Sequence, residues 1–202
     1  MILYYILVPF AWLLWHIGFR IHVEGRENLK KVQTKGCILA PTHVSAIDPV
    51  FIVVTRWSRR MIVFAKKELF EINGFLTWFF RCCGAVCVRG TKDEMAAIEQ
   101  TVEKCRNGET LLIFPEGTRY KGEEGGAGEF KAGAFRIAVK TGAPVVPVAI
   151  TGARALFENN GNLCHPGSVH IKVLPPIRTA GMSKAEQKQL PDAVRQAILA
   201  QL

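Results

Sequence analysis

The chain is 202 residues long, 49% hydrophobic and 21% charged, with a net charge of +9 and a mean hydropathy of +0.16. That length accommodates one domain with a substantial core, and the composition is that of an ordered chain, more apolar than a typical soluble enzyme. The positive charge calls for an anionic partner, but there is no long polybasic arm, no recognition helix and no strand alternating aromatic with basic residues, which argues against nucleic acid.

In chain order, MILYYILVPFAWLLWHIGF is apolar or aromatic almost throughout, and the first charged side chain is Arg20. It lacks a basic n-region and a small-residue cleavage site, so it does not read as a cleaved signal. Its length is just enough to cross a bilayer, Pro9 kinks it, and its aromatic residues suit a helix lying in the headgroup zone. Arg20, Arg26, Lys30, Lys31 and Lys35 follow. They favour the cytoplasmic face or contact with anionic lipid. Residues 1–24 are therefore expected to be a membrane-associating segment and residues 25–202 one domain, at the cytoplasmic face of the cell membrane.

RIHVEG alternates as a strand and passes into a short polar connection. CILAP, MIVFA, AVCVRG, TLLIF, VVPVAITG and SVHIKV read as further strands; GFLTWFFRCC, DEMAAIEQTVEKCRNG and FKAGAFRIAVKTG read as helices. The last helical region, from Ser183, has a capping-box Glu186 and is expected to be interrupted or to restart near Pro191. Strands that are apolar on both faces and alternate with helices predict an α/β fold, with a mainly parallel or mixed central sheet covered by helices. YKGEEGGAGE is expected to be the most mobile loop, and the six cysteines read as buried thiols in a reducing compartment.

The polar constellations fall just after strands, where such sheets place ligands. In PTHVSAIDP, His43 and Asp48 would stand about 140° apart on a continuous helix, so contact between them requires a turn. Two readings stand open: a base oriented by a carboxylate, or a satisfied loop histidine followed by a helix cap. If His43 is a base, no nucleophile competes for it. No GxSxG elbow occurs, the clustered cysteines lie in apolar sequence, and a metal site lacks a third ligand. A substrate hydroxyl is then its target.

IFPEGTRY offers Glu116, Gly117, Thr118 and Arg119, with a glycine for close approach and a guanidinium fork suited to phosphate. The alternative is a simple ion pair that organises the loop. Lys66, Lys67 and Arg89 lie at or beyond strand ends. With Arg119 they form a candidate phosphate cradle built of side chains, since no glycine-rich phosphate loop is present.

These blocks resemble the glycerolipid acyltransferase family, typified by 1-acyl-sn-glycerol-3-phosphate acyltransferases. Histidine, four residues and aspartate correspond to His43 and Asp48; KKEL, with Gly84 and Arg89, is similar to the second block, with Asn73 and Leu76 where proline and glycine are usual. FPEGTR and FKAGA are similar to the third block, and Val146, Pro147 and Val148 to the fourth. The resemblance implies His43 as general base, Asp48 as its orienter, Lys66, Arg89 and Arg119 as phosphate binders, and Glu116, Gly117 and Thr118 as shapers of the acceptor site. It implies acyl transfer from acyl-CoA or acyl carrier protein to the 2-hydroxyl of lysophosphatidate, with no metal or cofactor beyond that thioester. Another lysolipid acceptor, such as a lyso-ornithine lipid, and a non-catalytic lipid-binding protein are the alternatives.

Overall fold

Seven strands form one sheet in the order β1-β7-β6-β2-β5-β3-β4. They are β1 (Phe19–Glu24), β2 (Ile38–Pro41), β3 (Met61–Lys66), β4 (Ala85–Arg89), β5 (Thr110–Leu112), β6 (Val145–Thr151) and β7 (Gly167–Val173). The computed structural model describes residues 9, 12, 13, 15–32, 36–55, 61–71, 73–82, 84–89, 94–123 and 125–202. Most of the N-terminal apolar stretch lies outside these residues, as do the side chains of Lys66, Leu76, Cys82, Cys83 and Arg89.

Strands β6, β2, β5, β3 and β4 run parallel, whereas β7 is antiparallel to β6 and carries β1 parallel to itself. The sheet is therefore mixed. The reason is visible in side-chain pattern: β2 is buried at every position and β6 at all but its last, so both need cover on two faces. In β1 and β7 buried and exposed positions alternate, which suits an edge pair with one face open to water. On that open face His22 and His170, paired in register, stack with ring centroids 4.8 Å apart.

The helices are α1 (Arg26–Lys30), α2 (Asp48–Thr55), α3 (Gly74–Cys82), α4 (Glu94–Arg106), α5 (Ala132–Thr141), α6 (Ala153–Leu156) and α7 (Lys184–Leu199). On one side of the sheet Phe51 and Ile52 of α2 and Leu156 of α6 pack with Leu39, Val146 and Ile150. On the other, Val102 of α4, Phe135 and Ile137 of α5, and Leu190, Val194 and Ile198 of α7 cover Ile38, Leu111 and Val145. Two apolar layers thus sandwich the central strands.

Several local expectations are corrected. Helix α7 runs unbroken through Pro191, although an internal proline costs a helix about 3 kcal/mol; Pro191 is itself buried beside Leu190, and the Ser183–Glu186 capping box secures the start. The polar connection after β1 contains the one-turn helix α1. The glycine-rich loop after β5 is tied down at its described residues: Arg154 donates to the carbonyls of Tyr120 and Gly122, and Arg195 to those of Ala127 and Gly128 at 2.8 and 2.7 Å. Cys37 and Cys105 are buried, but Cys164 is exposed.

At the N-terminal side, Trp15 packs on Phe19 and Phe51, with centroids 5.0 and 5.7 Å away, while Leu13 and Ile17 are exposed. Among the described residues no helix is long and apolar enough to cross a membrane.

Candidate active site

The segment after β2 is a folded turn, not an extension of the strand. Thr42 joins β6 by donating its amide to the Val148 carbonyl and accepting the Ile150 amide on its hydroxyl, both at 3.1 Å. Chain direction then reverses through residues 43–47 into α2, whose first residue is Asp48. His43 Nδ1 lies 3.1 Å from Asp48 Oδ2, and the same oxygen accepts the amides of Val44 at 2.8 Å and Ser45 at 2.7 Å. Asp48 therefore both organises the turn and holds the imidazole, a geometry that each of the two readings of PTHVSAIDP requires.

Burial pushes the Asp48 carboxyl up, and the hydrogen bonds from His43, Ser45 and Val44 oppose that rise. With Nδ1 engaged by Asp48, Nε2 is the ring nitrogen left to exchange a proton. Phe114 packs on the imidazole, with ring centroids 4.1 Å apart and planes inclined by 31°. The imidazole is thus held at its Nδ1 edge by Asp48 and on its face by Phe114.

FPEGTR lies against this turn. Glu116 is buried, and its carboxylate accepts the His43 amide at 2.9 Å on one oxygen and the Gly128 amide at 3.1 Å on the other. Burial pushes its carboxyl up while these two amides work in the opposite direction. Tyr120 donates its amide to the His43 carbonyl at 2.7 Å, so the loop grips both backbone polar groups of the histidine. Gly117 has φ +70, and a Cβ there would stand 3.2 Å from Lys131 Nζ. Thr118 and Arg119 are exposed.

Arg119 is not paired with Glu116. Its guanidinium donates to Glu158 Oε1 at 3.0 Å. Glu158 also accepts the Ser45 hydroxyl at 2.6 Å and the Ala46 amide at 2.8 Å. Ser45 is fully buried and its hydroxyl is committed to Glu158, which removes it as a nucleophile. Sequence reasoning missed Glu158 and Arg154; LFENNGN carries no motif, and its part appears only where the chain returns after β6.

The backbones of Lys66 and Arg89 face one another at the carboxyl ends of β3 and β4. His43 follows β2, and the loop bearing Arg119 follows β5 and turns towards Glu158 of the segment after β6, so it is the strand ends leading to these four residues that share one sheet edge, in the order β2, β5, β3, β4. At about 4.8 Å per strand, that edge is roughly 14 Å long. Among the described residues no cluster of three or more metal-ligating side chains occurs.

His43, held at Nδ1 by a buried carboxylate, thus stands at the carboxyl edge of the sheet's parallel strands beside the loop that carries Arg119, where such sheets place ligands. The acyltransferase family pattern matches residues 20–151, and the chain belongs to that family. The protein is an acyltransferase. It is 31% identical over 191 residues to the 1-acyl-sn-glycerol-3-phosphate acyltransferase of Borreliella burgdorferi, covering 94% of this chain and 74% of that one. The Saccharomyces cerevisiae protein of the same name is 30% identical over 182 residues, 89% of this chain and 58% of its own. The crystal structure of the 1-acyl-sn-glycerophosphate acyltransferase PlsC from Thermotoga maritima superposes with a TM-score of 0.72 at 31% identity, covering 90% of this chain and 70% of that one.

Proposed function

We propose that the enzyme transfers a fatty acyl group from an acyl-CoA or acyl carrier protein thioester to the 2-hydroxyl of 1-acyl-sn-glycerol-3-phosphate, forming phosphatidate. The observation that carries this reading is the His43–Asp48 contact at 3.1 Å, which leaves Nε2 as the base, in a chain resembling the Borreliella enzyme along nearly its whole length. His43 Nε2 takes the hydroxyl proton as the acceptor oxygen attacks the thioester carbon. The tetrahedral species then collapses, the C–S bond breaks, and the leaving thiolate recovers the proton from the imidazolium.

Asp48 is the orienter of His43. Lys66, Arg89 and Arg119 are the anion binders, supported by their common sheet edge; Arg89, three strands from β2, needs the longest reach. Glu116 shapes the site from beneath, since both its oxygens serve backbone amides, and Gly117 and Thr118 form the adjoining rim. Residues 1–24 serve as the membrane-associating segment of an acyltransferase domain at 25–202, with β1 forming the join inside the sheet. The exposed Leu13 and Ile17 and the basic residues that follow support attachment to an anionic membrane surface at the cytoplasmic face.

The test is mass spectrometry of products from a mixture of lysolipid acceptors, run with each donor class. Phosphatidate as the dominant product is expected. Exclusive acylation of a lyso-ornithine lipid or another lysophospholipid overturns the acceptor assignment, and binding without any turnover overturns catalysis.

A further inference from the structure

We infer that Glu158 is a positioning residue that locks the His43 turn and sets how freely Arg119 can engage an anionic acceptor. The inference rests on the reading of Arg119 as an acceptor-phosphate binder. Glu158 lies beyond the residues matched by the family pattern, on a single 3-10 turn (Glu158–Asn160) that follows α6. Its carboxylate accepts three donors. Ser45 Oγ and the Ala46 amide come from the turn that carries His43, at 2.6 and 2.8 Å, and Arg119 comes from the loop after β5, at 3.0 Å.

The two halves of this contact set differ in kind. Ser45 is fully buried, and its hydroxyl also accepts the Ile47 amide at 3.4 Å, so Glu158 and Ser45 together complete the polar pairing of the turn. Removing the acceptor leaves the buried Ser45 hydroxyl unmatched and frees the exposed Ala46 amide to bond water instead, so the turn loses its tie to Glu158. A displacement of about 1 Å in a catalytic base costs on the order of 10²-fold in rate.

The Arg119 half is open to solvent. The Arg119 side chain is 49% exposed against 20% for Glu158. A half-exposed pair of this kind is weak and exchangeable. A guanidinium has five N–H donors, and Glu158 occupies one of the two on Nη1, so the fork can bind a phosphate while Glu158 keeps its place on the turn. The negative charge of Glu158 then opposes that of the phosphate. Glu158 thus holds the arginine in register and limits how tightly it grips.

The experiment compares full-length wild type, Glu158→Ala, Glu158→Gln and Arg119→Ala/Glu158→Gln. It measures kcat and acceptor KM with a phosphate-bearing acceptor that the wild type turns over. It also measures the rate at which diethyl pyrocarbonate modifies His43, read by peptide mass spectrometry. Glu158→Ala is expected to lower kcat about 10- to 100-fold and to change His43 labelling several-fold. Glu158→Gln, which can still accept from Ala46 and pair with Ser45, is expected to recover most of the lost kcat and to lower acceptor KM about two- to fivefold. The drop in KM should vanish in the Arg119→Ala background.

Wild-type kcat and labelling in Glu158→Ala would overturn the positioning role, as would an equal loss of kcat in both single variants. An unchanged or raised KM in Glu158→Gln, or a drop that persists without Arg119, would overturn the tuning of Arg119. If Glu158→Ala fails to fold, Glu158→Gln and the double variant decide. A wild type that turns over no phosphate-bearing acceptor overturns the acceptor reading instead, and the labelling comparison still decides whether Glu158 positions the turn.

Discussion

His43 and Asp48 meet through a single carboxylate oxygen: Oδ2 takes the imidazole and the amides of Val44 and Ser45, while Oδ1 is buried with no hydrogen-bond partner among the described residues. Because one oxygen does both jobs, Asp48→Asn can keep its amide oxygen on the two amides and the imidazole, but it removes the charge that stabilises an imidazolium and puts an NH₂ in the buried place of Oδ1. It should remain folded and lose about 10²- to 10⁴-fold in kcat. Asp48→Ala should also lose stability, by roughly 1–3 kcal/mol for each buried amide left unmatched. Steady-state rates and urea unfolding of the two variants check this; equal stability loss in both would contradict it. His43→Ala should lower kcat by about 10² to 10⁴ while acceptor binding persists.

The carboxylates bracing the turn should respond to pH with opposite signs. Burial pushes the Glu158 carboxyl up, but hydrogen bonds from Ser45, Ala46 and Arg119 outweigh it and hold the group below its ordinary value of 4.5. Its contribution to stability is present above pH 4.5 and is lost as pH falls through the folded-state value. Glu116 is raised above 4.5 by burial, so its ionised form is disfavoured by folding. Wild type should therefore lose stability relative to Glu158→Gln as the solution is acidified below pH 4.5. It should gain relative to Glu116→Gln as pH falls from neutral towards 4.5. Urea midpoints across pH 3 to 7, an interval set at roughly one to two units around the carboxylate range, test both signs.

Much of this arrangement is written locally. CILAP and VVPVAI are continuous apolar runs and become the buried β2 and β6, because only a strand covered on both faces tolerates such a run. Ser183 and Glu186 three residues on form a capping box whose two hydrogen bonds close as the pattern predicts. PTHVSAIDP announces a turn through its two terminal prolines and its spacing, and the turn forms. Other features have no local signature. The antiparallel setting of β7 against β6 depends on how chain 152–166 returns, and VFIVV, β-branched and strand-like in composition, is helical in α2 because its faces are buried and Asp48 organises its start. Glu158 reaches Ser45 across 113 positions, a contact that exists only once the sheet has formed. The pairing of Arg119 follows from the same return, so its partner could not be read from FPEGTR.

The thiols should differ sharply in reactivity. Burial pushes the Cys105 thiol up to about 12, so almost none of it is thiolate at neutral pH, whereas Cys164 is exposed. Iodoacetamide at pH 7.5, about one unit below the pKa of an unperturbed thiol, should label Cys164 well before Cys105 in the native protein. In denaturant the two should label at comparable rates. Equal native rates, read by peptide mass spectrometry, would mean that the α4 side of the core opens more readily than its packing implies.

The N-terminal side chains should divide by face between membrane binding and stability. Phe19 is buried as the first residue of β1 and meets Trp15 and Phe51, so deleting residues 1–19 would damage the core along with any anchor. Leu13 and Ile17 point outward, 51% and 76% exposed, and offer a cleaner test. Replacing both with serine removes apolar surface at about 25 cal/mol per Å² of membrane-buried area while leaving the Trp15 contacts in place. Co-sedimentation with vesicles containing anionic lipid should fall, and the thermal midpoint should stay close to that of wild type. Trp15→Ala should do the reverse and lower stability, though by less than the roughly 3–5 kcal/mol of a fully buried aromatic, because Trp15 is only partly buried. An undiminished pellet fraction in the double serine variant would remove this face from membrane attachment and leave the basic residues that follow as the remaining contact.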